Sequence, residues 1–243
     1  MTTIQDPAAA WPDQISYPGQ THVAPGPHDM ANMYRAHFAF RRDLDMFEAA
    51  VRKTPVEAAD SWRALAARWA IFAEILHHHH TIEDVMIWPV LLRRTEADGD
   101  TAATALLHAM EAEHEHIDPS LAGCAEGFTA MVEHPCEDHR NALDVHVTSA
   151  RQLLADHLRH EETEAIPLIM RAMTVEEWAA SEEYAAKGLS PRKLSDLVPW
   201  MVEGMSPELL ERERAAAPRV MRLLLVLFRR RWARREQVAF RYA

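Results

Sequence analysis

The sequence predicts an all-α protein, an up-down-up-down four-helix bundle with a C-terminal helical extension, and three observations carry that prediction. Glycine is scarce (7 among 243 residues), while Ala, Leu, Met, Glu and Arg, all good helix formers, fill the long segments. Four long stretches of helical pattern are joined by short connections, as in an antiparallel bundle. A unit of one His, then His-x-x-x-Glu, then Pro occurs twice, offset by 77 to 78 residues. Two helical hairpins related by a pseudo-twofold axis would bring all four helices to one central point.

Residues 1–28 carry Pro7, Pro12, Pro18, Pro25, Pro27, Gly19 and Gly26, so they read as an irregular arm that Trp11, Ile15 and Tyr17 could pin to a surface. The bundle is expected over 29–173. Asp29 caps a first helix that reaches about Lys53. Thr54-Pro55-Val56-Glu57 combines an N-cap, a Pro at the first helical position and a Glu three residues on, which starts a second helix ending before the polar stretch 93–100. A third helix runs from about Thr101 to Glu133, with a kink or break expected at Pro119. The fourth begins after Pro135 and reaches about Met173.

Residues 174–243 form the extension. Thr174-Val175-Glu176-Glu177, Ser190-Pro191 and Ser206-Pro207 each mark a helix start. From 206 to 243 there are ten Arg against four Glu, a local charge of +6 in a chain of net −11, which leaves −17 for the rest. The expected use of this basic helix is to pack Leu223, Leu224, Val226, Leu227 and Phe228 on the acidic bundle. The overall negative charge argues against a nucleic-acid partner. The most apolar run, VMRLLLVLF, is far too short to span a membrane, and no secretion signal is visible at the start. Two cysteines, Cys124 and Cys136, form no CxxC pair and suit a reducing compartment, so a cytoplasmic location is expected.

Histidine is the outlier: fifteen are present, and they cluster. ILHHHHTIEDVMIWPVL aligns with LLADHLRHEETEAIPLI when His79 is set on His157; Glu83 then matches Glu161 and Pro89 matches Pro167. Upstream, His37 precedes His79 by 42 residues and His114 precedes His157 by 43. His and Glu four residues apart share one helix face, so each such helix presents an imidazole and a carboxylate together. Two of these helices plus one His from each of the other two supply four imidazoles and two carboxylates. That set is too rich for one ordinary ion and suits two that share carboxylates. Imidazole with carboxylate favours iron over Mg or Ca, and the lack of thiolate argues against structural zinc. Six protein donors leave positions for an oxo or hydroxo bridge and a small ligand such as dioxygen, peroxide or nitric oxide.

The motifs HFAFRRDL, HHHHTIEDVMIWP, EHEHI and HLRHEETEAIP give the chain a resemblance to the hemerythrin or HHE cation-binding family over about 29–172. The resemblance implies that His37, His79, Glu83, His114, His157 and Glu161 are ligands of a non-haem di-iron centre, with Glu83 and Glu161 as bridges. It also implies reactivity toward oxygen species, or sensing of oxygen or iron. Oxygen-carrying members have a second His one turn before the third-helix ligand, where this chain has Met110, which argues against simple oxygen carriage. Tyr34 and Glu111, each three residues before an upstream His, are candidates for an extra ligand or an imidazole-orienting partner, and His80 is another.

Plainer alternatives apply to the remaining polar residues. Four consecutive histidines cover all faces of a helix, so only one or two of His77–His80 can point inward. The repeat selects His79 and leaves the others at the surface or beside the site, with His80 and Asp84 as the rival register. His116 competes with His114, and His160, Glu162 and Glu164 are expected in solvent. Met170, Met173, Met201 and Met205, with Trp62, Trp69 and Trp88, are expected to pack cores. Two functions from different classes follow: a redox enzyme consuming peroxide or nitric oxide, or an oxygen- or iron-sensing module without turnover. The oligomeric state is left open.

Overall fold

The computed structural model describes residues 11–187 and 189–243; the first ten residues of the arm, Pro7 among them, lie outside these. The molecule is all-α and its centre is the expected four-helix bundle. α1 spans Ala31–Lys53. Asp29 Oδ1 accepts a hydrogen bond from the Ala31 amide at 2.9 Å, and Arg52 and Lys53 sit in the last turn, where cations meet the negative end of the helix dipole.

The second helix starts later than the capping motif suggests. Thr54 donates its amide to Ala50 O at 2.8 Å and so closes α1, and a turn from Pro55 to Ala58 follows before α2 begins at Ala59. Thr54 cannot finish one helix and open the next. The helical rod then continues through α2 (Ala59–Ile82), a π turn (Glu83–Ile87) and α3 (Trp88–Asp98), past the polar stretch expected to end it. What stops it is Gly99, whose φ of 70° only glycine adopts freely.

α4 (Thr101–Glu133) is capped by Asp100, whose side chain accepts from the Ala103 amide. It runs unbroken through Pro119. Pro119 and Glu115 both lie on the exposed face, where the carbonyl left without an amide partner can bond to water. The last rod is α5 (Glu137–His160), a second π turn (Glu161–Ala165) and α6 (Ile166–Ala172).

Each π turn is followed two residues later by a proline whose ring it accommodates. Pro89 and Pro167 have no amide hydrogen, and in a regular helix each ring would collide with the carbonyl four residues earlier. Widening the preceding turn removes that collision: Trp88 N–H reaches Glu83 O, and Ile166 N–H reaches Glu161 O, both five residues back. Each wide turn begins at the Glu of a His-x-x-x-Glu unit.

Two apolar clusters fill the interior. One holds Phe40, Phe47, Trp69, Phe72 and Phe128; the other holds Phe38, Trp88, Leu107, Met110 and Ile166. The inward His and Glu residues fall between the two clusters along every rod. Both clusters also take residues from outside the four rods: Tyr17 from the arm, Met30 just before α1, Trp178 from α7 (Val175–Ala186) and Trp200 from α8 (Pro191–Val202). Leu209 of α9 (Pro207–Ala216) and Trp232 of α10 (Arg219–Ala239) complete them. Thr174, Ser190 and Ser206 cap α7, α8 and α9 as their sequence positions suggest.

α10 attaches by a different face from the one expected. Leu223, Val226 and Leu227 are 66%, 52% and 65% exposed, and Leu225, Trp232, Glu236 and Ala239 are buried instead. The reason is a buried ion cluster. Arg68 Nε donates to Glu236 Oε1 at 2.9 Å, and Arg68 Nη2 donates to Asp43 Oδ2, which also accepts from Trp200 Nε1 at 2.7 Å. Fixing Glu236 inward turns the 223/227 stripe outward. Among the described residues no helix is long and apolar enough to cross a membrane.

Candidate metal centre

Seven side chains converge between the two apolar clusters, and they fall into two groups that could each hold an ion: His80, Glu83, His114 and His157, and His37, His79 and Glu161. α1 supplies His37, α2 with its π turn supplies His79, His80 and Glu83, α4 supplies His114, and α5 with its π turn supplies His157 and Glu161. All six residues selected by the repeat are therefore brought together.

The two glutamates span the groups. Glu83 Oε1 lies 3.0 Å from His79 Nε2, and its Oε2 lies 3.4 Å from His114 Nε2. Glu161 Oε2 lies 3.1 Å from His37 Nε2 and 3.9 Å from His157 Nε2. Each carboxylate thus faces a histidine of either group.

His80, a candidate extra ligand that the repeat does not select, joins the cluster. It is 3% exposed and stacks on His114 with ring centroids 4.0 Å apart. Glu83 has His79 four residues before it and His80 three before it, so one carboxylate meets neighbouring imidazoles on a single helix face. The repeat hides this because its second copy has Leu158 at the matching place. Five histidines are gathered in all, so the lack of a histidine at Met110 does not leave the cluster one short.

The outer shell is acidic. His37 Nδ1 lies 3.0 Å from Glu162 Oε1, His114 Nδ1 lies 2.8 Å from Asp84 Oδ1, and His157 Nδ1 lies 2.8 Å from Glu113 Oε2. An outer N–H held by a carboxylate fixes the tautomer of a neutral imidazole and turns the Nε2 lone pair inward. Glu162, expected in solvent, is wholly buried; it also accepts from Arg41 Nη1 at 2.8 Å and from the Thr21 amide of the arm at 2.7 Å. His160 is tied to Glu113 at 2.8 Å, while Glu164 is exposed as expected. Asp84 does not pair with His80, as the rival register would require, but serves His114 from outside.

A signal for these acids was present in the sequence. Asp84 follows Glu83 and Glu162 follows Glu161 at matching places of the repeat. Each orients the upstream histidine of the other half. Tyr34 and Glu111 are bonded elsewhere: the Tyr34 hydroxyl accepts from the Ala24 amide of the arm, and Glu111 pairs with His108 at the surface.

The electrostatics of the cluster are those of a site built for cations. Burial and the nearby Glu161 push the Glu83 carboxyl up to about 8. Burial alone would lower His37, yet Glu161 and Glu162 overcome it and hold the imidazole up at about 9. Burial and the charge on His37 press His79 down to about 3, and burial with His114 lowers His80 strongly. Among the described residues, the inward Nε2 atoms of His37, His79, His114 and His157, both ring nitrogens of His80, and both oxygens of Glu83 and Glu161 are buried and make no well-directed hydrogen bond, close as some of them lie to one another. Unpaired buried polar atoms cost about 1–3 kcal/mol each. The donor set fits metal ions at the point where these atoms converge.

Comparison with known proteins agrees with this geometry. The family model of the hemerythrin HHE cation binding domain matches residues 28–169. Zinc finger protein BRUTUS-like of Arabidopsis thaliana is 25% identical over 178 residues, which is 71% of this chain and 14% of that protein, so the chain spans about a seventh of its relative. No solved structure matches the chain.

Proposed function

Because the chain belongs to the hemerythrin HHE cation-binding family, we propose that it is a non-haem di-iron protein whose centre reacts with dioxygen, peroxide or nitric oxide. His80, Glu83, His114 and His157 would hold one iron, and His37, His79 and Glu161 the other, with both glutamates placed to serve either ion. The supporting observation is the convergence of buried inward nitrogens and oxygens from all seven side chains, none with a well-directed hydrogen bond among the described residues. Imidazole and carboxylate donors without thiolate favour iron.

Iron would supply a redox-active Lewis acid at which a small molecule can bind. The chain's own residues supply the rest. Glu162, Asp84 and Glu113 aim the imidazoles. Phe40, whose ring lies 5.3 Å from that of His79, and the buried Met110 and Trp88 keep water out. The His37 group has fewer protein donors than the His80 group, which leaves more room there for a small ligand.

A second reading, a sensor of oxygen or iron without turnover, is favoured by one contact. Phe40 touches His79 on one side and Trp200 of α8 on the other, at 5.2 Å between ring centroids, and so links the cluster to the extension.

The test is to express the protein with iron and measure metal content and the visible spectrum. About two irons per chain with charge-transfer bands is the expected result. A colourless protein holding one zinc would overturn the assignment. Stopped-flow mixing with peroxide, nitric oxide and oxygen then separates turnover from binding.

A further inference from the structure

We propose that the groove enclosed by α2, α8 and α10 binds a single-chain amphipathic anion, an acyl chain ending in a carboxylate or phosphate head. The cavity measures about 940 Å³ and runs along α2 from Ala64 to His78, roughly 20 Å at the helical rise. That volume lies in the range of small-molecule sites. Along α2 it presents Ala67, Ile71 and Ile75 between the polar Arg68, Glu74 and His78, and Leu197 of α8 also lines it.

Its rim is cationic. Lys193 is paired with Glu74 at 3.1 Å and Arg235 with Asp196 at 2.7 Å. Arg192, Arg231 and Arg234 also line the groove and make no ion pair among the described residues. Arg68 lines it too, but its side chain is 2% exposed and bound to Asp43 and Glu236, so the exposed Arg192, Arg231 and Arg234 are the cations left for a ligand. A bare inorganic anion would leave the Ala/Ile wall wet, and a neutral apolar molecule would leave the guanidinium groups unanswered. An acyl chain with an anionic head satisfies both, and guanidinium is well matched to carboxylate and phosphate. None of the seven cluster residues lines the groove, so this site does not depend on the metal assignment.

The experiment follows the fluorescence of cis-parinaric acid, a long-chain carboxylate, on titration into the full-length protein, with and without iron. Competitors are dodecanoate, dodecyl phosphate and dodecanol. Saturable one-to-one binding is expected, with dodecanol competing at least about tenfold more weakly than either anion. Preference for one anion over the other identifies the head group. Arg231→Ala with Arg234→Ala, both exposed and unpaired, should weaken the anions about tenfold and leave dodecanol unchanged. Ala67→Trp, at an exposed position on the wall, should block all three. Absence of saturable binding, equal competition by dodecanol, or insensitivity to these variants would overturn the proposal.

Discussion

His37 Nδ1 faces Oε1 of Glu162 at 3.0 Å, and both side chains are fully buried. The same carboxylate holds Arg41 and the amide of Thr21, so the arm, α1 and the second π turn meet at one group. Glu162 therefore fixes the direction of the His37 ring without reaching the centre itself. Glu162→Gln should lower metal affinity about 10–100-fold, the usual effect of removing such an orienting partner. Glu164→Gln, two residues further on and exposed to solvent, is the control and should change nothing. Competition with a chelator measures both, and equal affinities in the two variants would refute the role.

His80 separates the two halves of the repeat chemically. Its counterpart in the second half is Leu158, so His80→Leu restores the symmetry of the sequence and removes one imidazole from the four-donor group. Iron should be held less tightly at that group, which then keeps three protein donors like the other, so dialysis against a chelator should remove iron from the variant faster than from the unaltered protein. His77→Leu, at an exposed position, should leave the rate unchanged. Metal analysis of both variants during dialysis decides between these outcomes.

The bundle and six of the seven converging residues were legible because helical periodicity and a duplicated motif are both local signals. His79 and His157 could be chosen from fifteen histidines only because each carries its Glu and Pro at the same spacing. The repeat could leave His80 only as a candidate, since a repeat reports what two halves share and the asymmetry of the centre lies in what they do not. It failed at Glu162 for another reason. An acidic residue in a His/Glu-rich helix looks solvated until the arm folds over it, and that contact joins residues 141 apart in sequence. The direction of α10 was hidden likewise, because an apolar run does not reveal that Glu236 is bound to Arg68 on the opposite face.

Asp43 is the anchor of that buried ion cluster. It is 1% exposed and accepts from Arg42, Arg68 and Trp200, joining α1 to α2 and α8. Removing one partner of a buried charge cluster strands the others, at a cost of about 3–5 kcal/mol. Asp43→Ala should destabilise the protein by that amount in urea unfolding. Asp45→Ala, on the exposed face, should stay within about 0.5 kcal/mol. A loss below about 1 kcal/mol for Asp43→Ala would mean that the apolar contacts of Trp200 and Trp232 hold the extension unaided.

Glu236, at the far end of the same cluster, gives the extension a pH dependence. Burial pushes its carboxyl up from 4.5 to about 7, because Arg68 offsets only part of the burial and the charge of Asp43 adds to it. Its Oε2 has no partner. A carboxyl whose folded-state pKa is raised contributes fully below the unfolded value and loses that contribution as pH climbs through the folded one. At about 1.4 kcal/mol per pKa unit, the loss between pH 4.5 and pH values above 7 is about 3 kcal/mol. Glu236→Gln keeps an oxygen for Arg68 Nε and cannot ionise, so the variant lacks this loss. Its stability relative to the unaltered protein should rise by about 2–3 kcal/mol between roughly pH 5 and pH 8, a difference that cancels the titration of every other group. Urea unfolding of both proteins at the two pH values measures it. A gap that does not change with pH would mean that Arg68 stabilises the Glu236 carboxylate enough to keep its pKa near 4.5.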